Sequence, residues 1–177
     1  MLVLAIDPGC AAKPTPRTPR PDPARHGWCL LEILPDRRPV WVDAGHGDEA
    51  TVRCHMRTAG VGVVVVEQPS RAHKEEANMP LLQTAFFAGY FHGVALERGL
   101  TAGVLSAESW RLTVTGLRGP TDAQVKAALS RMLALPARSN AHERDACGVG
   151  LGWALRSGVL AGGKGRRLPA VATSPTP

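Results

Sequence analysis

Four side chains that could do chemistry lie next to three apolar segments of the chain. Asp7 ends the run MLVLAID, Glu67 follows four consecutive valines, and His142 and Asp145 are three residues apart in HERDACG. In an open α/β sheet, acids at the carboxyl ends of strands lie at the carboxyl edge of the sheet. Residues three positions apart lie on the same face of a helix. These positions predict one site that combines three carboxylates with an imidazole.

Such a site favours metal chemistry. Carboxylates crowded into a partly desolvated cleft repel one another, and a bound cation relieves that repulsion. Oxygen ligands suit Mg²⁺ or Mn²⁺, and an imidazole favours Mn²⁺ slightly. Two ions about 3.5–4 Å apart would activate a water and stabilise the leaving oxygen of a phosphodiester. We therefore expect both the metal ligands and the catalytic residues to be Asp7, Glu67, His142 and Asp145.

Each of these residues also has a purely structural interpretation. An aspartate after a strand often forms a turn or caps the next helix, and a lone histidine is commonly tolerated at a helix start. Glu67 could simply pair with Arg71 or Arg111. The combination of all four residues is harder to explain structurally than any one of them.

The segments that must position these side chains predict an α/β domain. Three closely spaced strands predict an antiparallel meander, and the valine-rich run, apolar on both faces, predicts an interior strand of a covered sheet. Helical spacing and capping residues predict helices on both faces of a five-stranded mixed sheet. The strands are predicted at 1–7, 26–34, 38–45, 60–69 and 101–110, the last running into a helix start at Ser106, and the helices at 48–59, 76–98, 120–133 and 140–156.

Length and charge are consistent with a single domain that carries basic appendages. The chain has 177 residues and a formal net charge of +6, with the positive charge concentrated in the proline-rich stretch 13–25 and in residues 156–177. Such arms suit a polyanion such as nucleic acid, although an arginine-rich composition alone would also explain them. No long apolar run or secretory signal is evident, so we expect a cytoplasmic protein. The four cysteines lack a C-x-x-C pair, which favours buried thiols over a zinc site or a disulfide framework.

Five segments together resemble the RuvC-type Holliday junction resolvases of the RNase H-like superfamily, and the resemblance covers about residues 1–156. They are AIDPG, VVVVEQP, AESWRLTVTG, TDAQVKAAL and HERDACGVGLGWAL. Asp7 matches the first-strand aspartate of that family, Glu67 the glutamate of its E-Q motif and Asp145 its final aspartate. His142 stands where many members have a third aspartate and some have histidine.

The resemblance implies an RNase H-like nuclease domain over 1–156. The composition of the chain adds a proline-rich basic loop at 10–25 within this domain and a flexible basic tail at 157–177. The resemblance also implies a homodimer, joined through helix 76–98, that uses two Mg²⁺ or Mn²⁺ ions per site. Its substrate would be branched DNA, a four-way junction nicked symmetrically on two strands; a branch-migration motor is left open. The residues expected to contact DNA are Arg71, Lys74, Arg111, Arg118, Lys126, Lys13, Arg17, Arg20 and Arg25.

Three features depart from the family pattern. Pro69, Ser70 and Arg71 stand where members commonly have an aromatic residue that stacks on junction bases. Asp122 replaces a common lysine, although Arg111 stands where another basic residue is usual. The basic loop replaces a tight hairpin beside the first aspartate. We interpret it as a phosphate contact, and a lineage-specific insert without a role is the alternative.

Other functions remain as alternatives. Another RNase H-like nuclease, such as a YqgF-type RNA-processing enzyme or a flap nuclease, ranks second, although the YqgF type follows its central strand with G-L-P rather than E-Q-P. A catalytically silent module that binds branched DNA would lack a ligand residue, and none is missing from the sequence. Sugar-kinase and actin-like ATPases also open with a strand and D-x-G, but such chains are about twice as long.

Overall fold

A computed structural model describes residues 1–9, 24–69, 78–135 and 139–160 of the chain. These residues form one five-stranded sheet with five helices. The strands are β1 (Leu2–Asp7), β2 (His26–Ile33), β3 (Pro39–Gly47), β4 (Val61–Gln68) and β5 (Thr101–Ser106). The helices are α1 (Glu49–His55), α2 (Asn78–Glu97), α3 (Ala107–Thr115), α4 (Asp122–Leu133) and α5 (Ala141–Arg156).

The sheet is mixed, with the strand order β3-β2-β1-β4-β5. The first three strands pair antiparallel, whereas β4 lies parallel to both β1 and β5. The predicted α/β class, the antiparallel meander and the interior position of the valine-rich strand are therefore confirmed. The parallel pairing of β1 with β4 brings the ends of both strands to the same edge of the sheet.

Helices cover both faces of the sheet, and this explains the unbroken apolar run in β4. Val63 and Val65 pack into a core shared with α3, α4 and α5, while Val64 and Val66 pack against α1 and α2. Side chains alternate between the two faces of a strand, so a strand covered on both sides must be apolar at every position.

Helix caps fix where three of the helices begin. The side chain of Ser106 accepts a hydrogen bond at the start of α3. Thr121 with Gln124 forms a capping box on α4, and Asn140 with Glu143 forms another on α5. Each cap satisfies backbone N–H groups that have no partner inside the helix. The cap at Asn140 sets the first turn of the helix that carries His142 and Asp145.

Close packing of α5 on the core depends on glycine. A Cβ atom at Gly148 would lie 2.3 Å from Cζ3 of Trp110, and one at Gly152 would lie 2.7 Å from Cβ of the same tryptophan. No real Cβ approaches another carbon that closely, so only glycine lets α5 lie against α3 at this separation.

The structure corrects one expectation and leaves others outside the described residues. Helix α2 is buried on one side only, because Phe91 is buried while Phe86 is 66% exposed. Cys54 is exposed, so the expectation of buried thiols fails there. Most of the predicted basic loop and tail falls on residues 10–23 and 161–177, which are not described. Among the described helices, none is long and apolar enough to cross a membrane.

Candidate active site

Three elements bring the predicted site residues to one edge of the sheet. Asp7 is the last residue of β1, and Glu67 lies one position beyond Val66, the register partner of Ile6. Helix α5 packs against β1 and β2, so its first turns bring His142 and Asp145 to the same edge.

Asp7 and His142 are in direct contact. Nδ1 of His142 lies 2.7 Å from Oδ2 of Asp7, whose side chain is 12% exposed, whereas that of the histidine is 57% exposed. The hydrogen bond to Asp7 raises the pKa of His142 above its ordinary value, against the opposing effect of burial. Nδ1 of His142 can therefore donate a hydrogen bond to Oδ2 of Asp7.

A glycine on the neighbouring strand makes that contact possible. Gly27 is the register partner of Asp7, and a Cβ atom there would lie 2.2 Å from the carbonyl oxygen of His142. Any larger residue would push the first turn of α5 away from β1. The glycine therefore sets the distance between the helix start and the end of the strand.

Glu67 is held by the core. Its Oε2 accepts a hydrogen bond from Nε1 of Trp110 at 3.0 Å. Burial, reinforced by the charges of Asp7 and Asp145, raises the pKa of Glu67 to about 8, although the tryptophan hydrogen bond opposes that rise. Without a cation, this carboxyl group is mostly protonated at neutral pH.

Asp145 is paired with an arginine that also contacts a second acid. Arg111 places Nη2 3.2 Å from Oδ2 of Asp145 and Nη1 3.2 Å from Oδ1 of Asp122, which is 83% exposed. The guanidinium carbon lies 5.2 Å from the centroid of the Trp110 ring. Burial raises the pKa of Asp145 even though Arg111 lowers it.

Carboxylate oxygens and an imidazole are the types of group that hold a divalent cation, but here each is already engaged. Asp7, Glu67 and Asp145 lie close enough that the charge of Asp7 raises the pKa of each of the other two. Each carboxylate nevertheless takes a protein donor, namely His142, Trp110 or Arg111. Within residues 1–9, 24–69, 78–135 and 139–160, no three His, Cys, Asp or Glu side chains stand as a ready-made ligand group. If an ion is to bind at this site, the carboxylates would have to exchange these donors for the metal.

The residues expected to contact DNA are distributed unevenly. Arg111 reaches the site, whereas Arg25, Arg118 and Lys126 are exposed on the surface, the last on α4 one turn after Asp122. The remaining positions lie outside the described residues: Lys13, Arg17, Arg20, Arg71 and Lys74.

The structure adds residues that the sequence reasoning did not select. Trp110 donates a hydrogen bond to Glu67. The glycine-rich segment GVGLG of α5 packs against the Trp110 ring, and this run of glycines was the sequence signal that a large side chain lies opposite α5. His26 is fully buried, its Nδ1 accepts a hydrogen bond from the Gly9 N–H at 3.2 Å, and burial lowers its pKa. His26 therefore holds the backbone at Gly9, two residues after Asp7, through this hydrogen bond. No local sequence pattern predicts this role.

Comparisons with known proteins identify the fold through structure rather than sequence. No model of a known protein family matches the chain. No curated protein matches it either. Thermus thermophilus RuvC superposes with a TM-score of 0.66 at 16% sequence identity, covering 89% of this chain and 95% of RuvC.

Two structures that contain DNA are also similar. T. thermophilus RuvC in complex with a Holliday junction substrate matches with a TM-score of 0.63 at 15% identity, covering 89% of this chain and 94% of RuvC. Fowlpox virus resolvase, crystallised with substrate Holliday junction DNA, matches with a TM-score of 0.54 at 10% identity, covering 88% of this chain and 99% of the resolvase. The strand order and these superpositions together establish that the chain has the RNase H-like fold of RuvC.

Proposed function

We propose that this protein is a divalent-metal-dependent endonuclease that resolves four-way DNA junctions by paired, symmetric phosphodiester hydrolysis. The observation that carries the proposal is the gathering of Asp7, Glu67 and Asp145 at one sheet edge, where Asp7 raises the pKa of the other two carboxyl groups. The same fold occurs in RuvC and in fowlpox virus resolvase, both solved with Holliday junction DNA.

The three carboxylates would hold Mg²⁺ or Mn²⁺, with His142 as a further ligand when its ring is neutral. Such ions, when bound, lower the pKa of a coordinated water and stabilise charge on the leaving oxygen. His142 carries a raised pKa because Nδ1 donates to Asp7. In its protonated form its other ring nitrogen, Nε2, can donate a proton to a phosphate or leaving oxygen. The cationic Arg111 beside Asp145 favours approach of a phosphate to the same edge.

Charge supports a nucleic-acid substrate. The chain has a net charge of +6, and the proline-rich stretch that follows Asp7 in the sequence contributes Lys13, Arg17, Arg20 and Arg25. Basic side chains that contact phosphates release counterions, so affinity for DNA would fall steeply with salt. Arg71, Lys74, Arg118 and Lys126 are further basic residues of a type suited to phosphate.

The proposed enzyme acts as a homodimer through α2. This helix exposes the apolar side chains of Leu82, Phe86 and Leu96. A cleft of about 390 Å³, lined in part by Leu82, Gly89 and Val104, lies alongside them. Exposed apolar patches of this kind are typical of interaction surfaces. A two-fold dimer would present two sites to a junction, which also has two strands to cut.

A charge placed on this surface tests the dimer. Phe86→Glu should give a monomer in sedimentation or light scattering, because a carboxylate cannot be buried between two apolar faces. Leu112→Glu, at a half-exposed apolar position on α3, is the matched control and should leave the assembly unchanged. A dimer that persists in Phe86→Glu would place the interface elsewhere.

The activity is tested with a synthetic four-way junction, a linear duplex and a flap, each incubated with and without Mg²⁺ or Mn²⁺. Symmetric nicks in the junction alone, and only with the ion, are expected. Asp7→Asn and Asp145→Asn should abolish cleavage while junction binding survives, and Asp36→Asn, on an exposed turn, is the control. His142→Ala should lower activity and change the ratio of Mg²⁺-supported to Mn²⁺-supported rates.

The alternatives give distinct results in the same assay. Junction binding without cleavage under any ion would favour a silent DNA-binding module. Cleavage of RNA or of the flap instead of the junction would favour another RNase H-like nuclease. Wild-type rates in Asp7→Asn or Asp145→Asn would contradict the assignment of the site.

A further inference from the structure

Two cysteines far apart in the sequence meet in the core beneath the site. Cys29 on β2 and Cys147 on α5 are separated by 118 positions, yet their Sγ atoms lie 2.9 Å apart, with the Cys147 thiol donating to the Cys29 sulfur. Both side chains are buried. A disulfide has an S–S bond of about 2.05 Å, so closing this bond would move the two sulfurs by less than about 1 Å.

A cleft is lined in part by one of the two cysteines. It has a volume of about 250 Å³, and its lining includes Trp41, Leu135, Glu143 and Cys147. A small oxidant can enter a space of this size, which exceeds the share of liquid volume taken by one water molecule, about 30 Å³. Because Cys147 lines this cleft and Cys29 does not, we assign the first reaction with an oxidant to Cys147. Burial raises the pKa of the Cys29 thiol, so Cys29 stays protonated and acts second.

We propose that Cys29 and Cys147 are an oxidative modification site that closes reversibly to an intramolecular disulfide. With hydrogen peroxide as the oxidant, the Cys147 sulfur attacks one peroxide oxygen, the O–O bond breaks, and a sulfenic acid and one water form. The Cys29 sulfur then attacks the sulfenic sulfur, the S–O bond breaks, and a second water leaves with the thiol proton. Two thiols are oxidised, one peroxide is reduced, and a thiol reductant reverses the bond.

The position of the pair gives the bond a structural consequence. Cys29 is the register partner of Ala5 on β1, two residues before Asp7, and Cys147 follows Asp145 by two residues. The disulfide would join the helix that carries Asp145 to the strand beside the one that carries Asp7. Closing so long a loop restricts the unfolded chain strongly, so the oxidised protein should be more stable. This inference does not depend on the proposed nuclease activity.

The test uses the full chain with the other two cysteines removed, Cys10→Ser with Cys54→Ser, so that only the buried pair can react. Peroxide treatment, followed by alkylation under denaturing conditions, should leave both sulfurs unlabelled and lower the mass by about 2 Da for the two hydrogens lost. A proteolytic digest should contain one linked peptide pair that spans residues 29 and 147. The midpoint of thermal unfolding should rise by about 5–15 °C, and dithiothreitol should reverse every change.

Control variants separate the site from general oxidation. Cys147→Ala in the same background should give no linked peptide, no mass loss of this kind and no rise in the midpoint on peroxide treatment. If that variant does not fold, the mass measurement on the parent protein decides alone. Full alkylation of both cysteines after peroxide, a sulfinic acid at Cys147 beside a free Cys29, or a bond between two chains would each overturn the proposal.

Discussion

Nε1 of Trp110 lies 3.0 Å from Oε2 of Glu67, so a fully buried tryptophan carries a hydrogen bond from the core into the candidate active site. The same indole packs against the glycines of α5 and lies beneath the guanidinium of Arg111. Trp110 thus contacts or neighbours the elements that hold Glu67, Arg111 and Asp145. The packing of α5 on α3 and the hydrogen bond to Glu67 therefore depend on the same side chain.

Replacing Trp110 with phenylalanine should weaken the packing of the core and remove the hydrogen bond to Glu67. Trp110→Phe removes the donor to Glu67 and leaves part of the indole volume empty, so the free energy of unfolding should fall by about 2–4 kcal/mol. The pKa of Glu67 should rise further, because in the wild type the hydrogen bond from Trp110 lowers that pKa and the variant lacks it. Chemical denaturation and a carboxyl-resolved NMR titration measure the two effects.

Trp41→Phe is the matched control for this change. The buried Nε1 of Trp41 has no hydrogen-bond partner among the described residues, so its loss should leave the pKa of Glu67 unchanged. Equal effects of the two substitutions on that pKa would show that the Trp110 hydrogen bond does not act on Glu67.

Glu67 should make the metal-free protein less stable as the pH rises. Its folded pKa of about 8 lies above the ordinary value of 4.5, so between these values the folded state binds a proton that the unfolded state has released. Stability contributed by the protonated group is present at pH 4.5 and is lost progressively up to about pH 8. Each pH unit corresponds to about 1.4 kcal/mol, and the loss should total a few kcal/mol.

Denaturant unfolding from pH 5 to pH 8 in the presence of a chelator measures this slope. Glu67→Gln cannot titrate, so its slope over this range should be flatter than that of the wild type. Identical slopes in the two proteins would show that Glu67 titrates near its ordinary value in the fold.

The fold followed from the sequence because its signals are local. The valine run of β4, the capping residues Thr121 and Asn140, and the apolar run before Asp7 each depend on neighbours a few residues away. These signals located the strands and helices, and the parallel pairing of β1 with β4 then placed the predicted acids at one edge. The residue types of Asp7, Glu67, His142 and Asp145 are themselves sufficient to predict a metal site, because that prediction depends on their chemistry and not on their contacts.

What the sequence missed depends on contacts between distant residues. Trp110 and Glu67 are 43 positions apart, and Cys29 and Cys147 are 118 apart. Asp122 illustrates the difference well. The resemblance to the RuvC-type pattern marks Asp122 as the replacement of a common lysine, whereas the structure pairs it with Arg111, which also contacts Asp145. No periodicity or spacing rule predicts which side chains meet across a core.

The two ion pairs of Arg111, with Asp122 and with Asp145, should contribute unequally to the free energy of unfolding. Asp122→Asn breaks an ion pair in which the acid is largely exposed, and such pairs contribute about 0–1 kcal/mol. Arg111→Ala leaves the half-buried Asp145 without its cation and should destabilise by about 1–3 kcal/mol. That loss should be larger at pH 8 than at pH 5, because Asp145 can be protonated at low pH.

Urea unfolding of both variants at the two pH values makes this comparison. Arg111→Lys keeps a cation near Asp145 and should recover part of the stability at pH 8. Should Asp122→Asn prove as damaging as Arg111→Ala, the arginine would have to act mainly through Asp122, and its contact with Asp145 would be of little consequence.

Gly148→Ala tests whether the packing of α5 determines the position of Asp145. Alanine favours a helix over glycine by about 1 kcal/mol, so on propensity alone the change should stabilise the protein. The new Cβ would instead lie 2.3 Å from Cζ3 of Trp110, and relieving that overlap must move the helix or the ring. We expect a net loss of about 1–3 kcal/mol in the free energy of unfolding.

Gly62→Ala, whose Cβ would meet open space, is the control and should change the free energy of unfolding by less than about 0.5 kcal/mol. Because the displaced ring also carries the hydrogen bond to Glu67, Gly148→Ala should shift the pKa of that carboxyl group upward, whereas a stabilised variant with an unchanged pKa would show that α5 and Trp110 have room to spare.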